Sequence, residues 1–291
     1  VLVRFVRFFL NLCYIAAVED PGFPGARRTF MSYGAELLPV PVDVDGLSVT
    51  ALKEAPTAKM VYVTPSHHDP TGVILSSDRR IELLEWAGRN GTLIVEDDFD
   101  SEYRYGGAPA SALQSIDQYQ SVIFLSSFWK TLFPIVRIGF LVVPESFVPL
   151  FKTAKSMIER DFRIIEQYAL CDLIATGALE KHIMKTRKVY SLRRQALVYA
   201  LTSKFGKRVV ISRETAGMHL LVRFSTEADL ASEQILSSAE LAGLSLISTR
   251  AFYLDKKAPN EFLIAFAHLT EQEIADSVQL FASRLLQNQC V

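Results

Sequence analysis

The stretch SSFWKTLFPIVRIGFLVVP, residues 126–144, decides how this chain reads. An apolar strand candidate at 122–125 runs into two serines and then Lys130, and seven positions on Arg137 opens a second apolar run. A lysine set between buried strands is a candidate nucleophile or Schiff-base former, because desolvation favours the free amine over the ammonium. Upstream, TLIVEDDFDSEYRY (92–105) places Glu96, Asp97 and Asp98 at the end of one apolar run, and MVYVTPSHHDPTG (60–72) ends another in a turn. Sites in open parallel sheets lie outside the carboxyl ends of the strands. Three such ends are therefore expected to converge near Lys130.

Outward from that stretch, YIAAVE, ELLPVPVD, MVYVTP, TLIVEDD, SVIFLSS and RIGFLVV alternate with helical patterns near 24–33 and 77–89. Such alternation predicts an α/β fold with a mainly parallel sheet, and the near-continuous Val/Ile/Leu runs predict strands covered on both faces. Residues 146–204 read as a helical connector whose Lys181, Lys185, Arg187, Lys188, Arg193 and Arg194 form a mostly solvated face. From 205 to 291, RVVIS, MHLLVRF, LSLIST and EFLIAFA mix with helical patterns near 227–242 and 270–286, the latter opened by a Thr270/Glu273 capping box. That is a small C-terminal α+β domain. The first 145 residues form a larger domain, and its opening VLVRFVRFFLNLCYIAAV reads as a helix leading into a strand.

The 291 residues are 49% hydrophobic, ample for a large core, and 31 basic against 32 acidic residues leave a formal net charge of -1. A balance so even gives no electrostatic footprint for nucleic acid. Cys13, Cys171 and Cys290 are too scattered for a zinc site or disulfide framework and read as buried thiols of a cytoplasmic protein. No apolar run approaches the roughly 20 residues of a membrane span. GxGxxG, GxxxxGK[ST] and HExxH do not occur, which removes the main support for dinucleotide, P-loop and zincin chemistry. The EDDFD acids have no nearby ligands of other types, so no metal is expected.

Several motifs in order resemble the aminotransferase-like domain of MocR-type regulators, a branch of the GntR regulators built on the fold-type I pyridoxal-phosphate (PLP) enzymes. They are EDPGFPG (19–25), TPSHHDPTG (64–72), VEDDFDSEYRY (95–105), WKTLFP (129–134) and AFAHLTEQEI (265–274). The resemblance spans almost the whole chain. It implies PLP as cofactor, held by Lys130 as an aldimine, with Asp97 facing the pyridine nitrogen as a buried carboxylate that keeps it protonated. From spacing alone Asp98 serves nearly as well, and Asp98, Asp100 and Glu102 then read as supporting or surface acids. Arg137 would grip the phosphate with its planar fork, Ser127 would add a hydroxyl, and His67 would contact the cofactor or merely shape the turn.

Departures from the family pattern bear on the chemistry. Phe99 stands where relatives carry a tyrosine that hydrogen-bonds the cofactor's ring oxygen. Asp69 replaces an asparagine near the same oxygen, where a carboxylate repels a phenolate unless it is protonated. Trp129 replaces a small residue and narrows the pocket. Leu263 occupies the place of the arginine that holds a substrate carboxylate, leaving Arg250 as the candidate clamp. The resemblance implies an effector domain that senses PLP, an amine or an amino acid. It also implies a homodimer, no membrane, and DNA bound only through a winged helix outside this chain. The alternatives are a catalytic class I/II aminotransferase and a degraded dimerisation module. Since the family's first Gly-rich phosphate loop precedes the point where this sequence starts, the parent reading frame is expected to continue upstream.

Overall fold

The computed structural model describes residues 14–106, 111–132, 136–158, 164–212, 216–224, 232–254 and 260–287. They form two compact units, the first within 14–69, 73–101 and 111–182, the second within 70–72, 102–106 and 183–287. The expected opening helix lies outside the described residues.

The first unit holds a seven-stranded sheet among the described residues. Its strands are β1 (Ile15–Asp20), β2 (Glu36–Asp43), β3 (Gly46–Leu47), β4 (Met60–Val63), β5 (Leu93–Asp98), β6 (Val122–Ser127) and β7 (Gly139–Val142), in the order β3-β2-β1-β4-β5-β6-β7. Strands β2, β1, β4, β5 and β6 run parallel, and the edges β3 and β7 are antiparallel to their neighbours. The sheet is of the mainly parallel α/β kind that the alternating pattern predicts.

Successive side chains of a strand point to opposite faces, and here both faces are core. Ala17, Val61, Val63, Ile94 and Val122 pack in one apolar cluster, while Ala16, Val18, Met60, Tyr62, Val95, Ile123 and Leu125 pack in another. The helix α1 (Pro24–Ser32) supplies Ala26 and Phe30 to the second cluster. Helices α2 (Val49–Glu54) and α3 (Ser77–Asn90) supply Val49, Leu52, Leu83, Trp86 and Ala87 to the first. Each large apolar side chain so buried contributes about 1.5–3 kcal/mol.

Local signals set the helix ends. Ser48 and Ser76 accept hydrogen bonds from the N–H groups of Ala51 and Arg79 at the starts of α2 and α3. Gly91 closes α3 in the left-handed region, φ 61°, where a Cβ would be strained. The short α4 (Leu113–Ile116) carries no cap of its own and is held by β5, as described below. Both α2 and α4 are too short to show a helical period in the sequence.

The expected connector contains α5 (Val148–Ile158), α6 (Ile164–Ala175) and α7 (Ala178–Phe205). Its basic residues divide by type. Lys181, Lys185 and Lys188 are exposed, as a solvated face requires. Arg187 and Arg193 instead donate to the carbonyls of Glu102 and Ala267, and the Arg193 guanidinium also lies over the Tyr190 ring, so these arginines tie α7 to loops of its own unit. Cys171 is exposed rather than buried, because on α6 only Leu170 is covered.

In the second unit β8 (Val209–Ile211), β9 (His219–Phe224), β10 (Leu246–Ser248) and β11 (Glu261–Ala265) form an antiparallel sheet in the order β10-β11-β9-β8. Leu197, Leu201 and Phe205 of α7 pack with Leu220, Val222, Phe224, Phe262 and Ile264 of the sheet. Helices α8 (Ser232–Glu240) and α9 (Glu271–Gln287) add Ile235, Ile274, Val278 and Phe281 to that core. The capping box at α9 forms as read: Glu273 accepts from the Thr270 N–H at 2.7 Å while Thr270 Oγ1 accepts from the Glu273 N–H at 3.3 Å. No helix of the described residues is long and apolar enough to cross a membrane.

Candidate active site at the strand ends

The pleat of β5 sends Asp97 to one face and Glu96 and Asp98 to the other. Glu96, fully buried, accepts from the backbone N–H groups of Leu113 and Gln114 at 2.9 Å each and so holds the start of α4. Its role is structural. Asp97 faces the other way and accepts a 2.6 Å hydrogen bond from the Tyr62 hydroxyl on β4. Desolvation, reinforced by the charges of Asp98 and Asp100, pushes Asp97 up to about 6 against the lowering effect of that hydroxyl. Asp98 turns to Ser101, whose hydroxyl and N–H it accepts at 2.7 and 3.3 Å. Of the two adjacent aspartates, Asp97 is the one held by a neighbouring strand.

The turn after β4 is fixed from three sides. Leu75 N–H bonds the Pro65 carbonyl and His68 N–H bonds the Val73 carbonyl, closing the loop. Arg80, buried on α3, donates to the carbonyls of Pro65, Leu75 and Ser111 at 2.6, 2.9 and 2.7 Å. Glu19 at the end of β1 accepts from both the N–H and the hydroxyl of Thr64, at 3.1 and 2.8 Å. Desolvation pushes Glu19 up to about 8. His68 donates its Nε2–H to the Pro21 carbonyl at 3.0 Å, and burial drops its pKa to about 3, so its ring is neutral.

His67 and Asp100 form a buried pair, Nδ1 to Oδ1 at 2.8 Å, with the His67 ring tilted against Phe99 at 5.7 Å. Asp100 is thus an interior acid that supports His67. Asp69 is raised to about 7, first by desolvation and then by Asp100 and Asp97, against the opposing pull of His67 and Lys130. In the sheet, β5, which ends at Asp97, lies between β4, whose following turn holds His67 and Asp69, and β6, which Lys130 follows.

Lys130 is half-buried in a tight turn directly after β6. Leu132 N–H bonds the Phe128 carbonyl at 2.9 Å, Thr131 Oγ1 bonds the same carbonyl at 3.2 Å, and His182 Nε2 donates to the Thr131 carbonyl at 2.9 Å. Ser127, the last residue of β6, pairs with Gly139 of β7. Arg137 precedes β7 rather than opening it and is exposed, with its guanidinium carbon 4.4 Å from the centre of the Trp129 ring.

Two candidates lie in the second unit. Arg250 is exposed on a 3-10 turn (Thr249–Phe252), and Leu263 is buried against Leu221 and Phe252. Sequence reasoning did not reach Tyr62, Arg80 or the Asp100 contact. Their partners include residues 35, 31 and 33 positions away, which no local pattern joins to them.

The sheet thus carries a half-buried lysine after β6 and a half-buried carboxylate, Asp97, at the end of the neighbouring β5. The chain belongs to the family described as aminotransferase class I and II, whose model matches residues 6–280. Within it, the chain is 31% identical over 261 residues to an uncharacterized HTH-type transcriptional regulator, YdeL, of Bacillus subtilis, covering 90% of this chain and 56% of that protein. It is 31% identical over 276 residues to the probable rhizopine catabolism regulatory protein MocR of Rhizobium meliloti, covering 95% and 55%. Among solved structures, Pyrococcus horikoshii kynurenine aminotransferase in complex with PMP superposes with a TM-score of 0.88 at 29% identity, over 99% of this chain and 72% of that one. The chain thus spans about half the length of the regulators it matches.

Proposed function

We propose that this chain is the PLP-binding effector domain of a MocR-type transcription regulator, organised as a large domain (1–145), a helical connector (146–204) and a small domain (205–291). The observation that carries the reading is the series of adjacent strand ends, with His67 and Asp69 after β4, the Asp97–Tyr62 pair at the end of β5 and Lys130 after β6, in a chain matched along nine-tenths of its length by HTH-type regulators. The donor set suits such a cofactor. A primary amine on a tight turn would take the aldehyde, and a carboxylate at a strand end, already bonded by a tyrosine hydroxyl, would take the ring nitrogen. Ser127 and Arg137 would take the phosphate. When bound, PLP supplies an electron sink.

The chain's own residues set what can be done with it. Asp97 would hold a proton on the ring nitrogen, and Tyr62 would keep Asp97 oriented. His67, fixed by Asp100, would bear on the ring beside Phe99, which has no hydroxyl to offer the ring oxygen. Asp69, raised to about 7, would be largely protonated below neutrality and so donate a hydrogen bond that an ionised carboxylate could not. Leu263 cannot clamp a carboxylate, and Arg250 would do so instead. The ligand would be an amine or amino acid, the assembly a cytoplasmic homodimer, and DNA would be bound by a winged helix elsewhere in the longer protein.

The similarity to kynurenine aminotransferase favours one other reading, a catalytic aminotransferase. A screen of amino donors with pyruvate and 2-oxoglutarate separates the two, together with promoter-DNA binding in the presence and absence of PLP and amines. The regulator reading expects ligand-dependent DNA binding and turnover far below the ordinary enzyme range. Turnover of about 1 per second or more, without any effect on DNA binding, would favour the enzyme.

A further inference from the structure

We infer that Trp129 is a positioning residue for phosphate binding, acting through Arg137. The inference rests on the proposed PLP site. The Arg137 guanidinium lies 4.4 Å from the Trp129 ring centre, although Arg137 is otherwise exposed. A free arginine side chain at such a position samples many rotamers, and ordering it on binding an anion costs about 2 kcal/mol at most. Stacking on the indole removes much of that cost beforehand. A guanidinium lying flat on an indole would also keep its in-plane N–H fork open, and that fork is what binds a phosphate in bidentate fashion.

The local backbone brings the two residues together. The Phe128 N–H bonds the Ile138 carbonyl at 3.0 Å, and Ser127 pairs with Gly139, so Trp129 and Arg137 lie just beyond the paired end of the β6–β7 ladder. Trp129 is half-buried and precedes Lys130 directly. The tryptophan therefore links the residue that would take the aldehyde to the one that would take the phosphate. A small residue at 129 would leave Arg137 without this support.

The test compares PLP with pyridoxal, which has the same aldehyde and ring but no phosphate. Both are titrated by absorbance and equilibrium dialysis against the whole protein and its W129A, W129F, R137A and W129A/R137A variants. A cation–π contact contributes about 0.5–2 kcal/mol, so W129A is expected to weaken PLP binding about two- to thirtyfold and pyridoxal binding by distinctly less. W129F, which keeps a ring, recovers most of the loss and guards against a folding defect in W129A. In the R137A background the tryptophan substitution has no further effect. Equal weakening of PLP and pyridoxal, or losses that add in the double variant, would overturn the inference while leaving the PLP site standing. Failure of the unaltered protein to bind PLP at all would instead remove the site and the inference with it.

Discussion

At the scale of single residues, what governs the candidate site is charge held in poorly hydrated places. Asp97 and Asp98 are neighbours in sequence and equivalent by spacing, yet one accepts from Tyr62 and the other from Ser101. Asp97→Asn is therefore expected to shift the absorption spectrum of the PLP-loaded protein and weaken cofactor binding at least tenfold, and Asp98→Asn to change either by less than threefold. The reverse order would put the ring-nitrogen acid at 98. Glu19 gives a second prediction. Its folded pKa of about 8 lies above the ordinary 4.5, so the folded chain holds a proton that the unfolded chain has lost. The associated stability is complete below about pH 4.5 and is lost as pH rises toward 8. Asp69 and Asp97, raised to about 7 and about 6 from 3.8, act in the same direction over lower windows. His68, depressed to about 3 from 6.5, acts oppositely, its contribution being lost as pH falls below 6.5. Glu19→Gln, which cannot ionise, should flatten the fall in urea-measured stability between pH 5 and 8 by up to about 1.4 kcal/mol per pH unit. An unchanged slope would mean that Glu19 is ionised in the folded chain.

At the scale of elements, the sequence declared most strands and hid most of what joins them. ELLPVPVD is β2 residue for residue, and TLIVEDD and SVIFLSS contain β5 and β6 within one residue at their starts. Continuous apolar runs between polar turns leave little choice of boundary. The same reading made RIGFLVV begin at Arg137, whereas β7 begins at Gly139; periodicity cannot tell where pairing with another strand starts. The turn after β4 was legible as a turn, but nothing in the sequence sets Arg80, which holds it, apart from the other charges of α3. Its guanidinium satisfies three carbonyls from inside the protein. Arg80→Ala leaves at least the Ser111 carbonyl without its donor and loosens the segment that carries His67 and Asp69. The expected loss is about 2–4 kcal/mol of unfolding free energy, with weaker PLP binding beside it, measured by urea denaturation and by titration. A loss under 0.5 kcal/mol would show that the loop holds itself.

At the scale of the whole molecule, order along the chain carried more than any single motif. A lone lysine after an apolar strand is commonplace, whereas a lysine preceded by two acidic and turn motifs at successive strand ends points to one fold, and the sheet order β1-β4-β5-β6 sets those ends side by side. The pairing of Asp97 with Tyr62 and of His67 with Asp100 was not legible, because it depends on which way each side chain leaves its strand or loop. Nor does the sequence show how Trp129 and Arg137 meet. The central claim is that Lys130 carries PLP, and the most direct measurement is to load the whole protein with PLP, reduce it with borohydride, digest it and map the modified peptide by mass spectrometry. One phosphopyridoxyl group is expected, on the peptide that contains Lys130, and it is lost in Lys130→Ala. Attachment at another lysine, or none in protein that is folded, would contradict it.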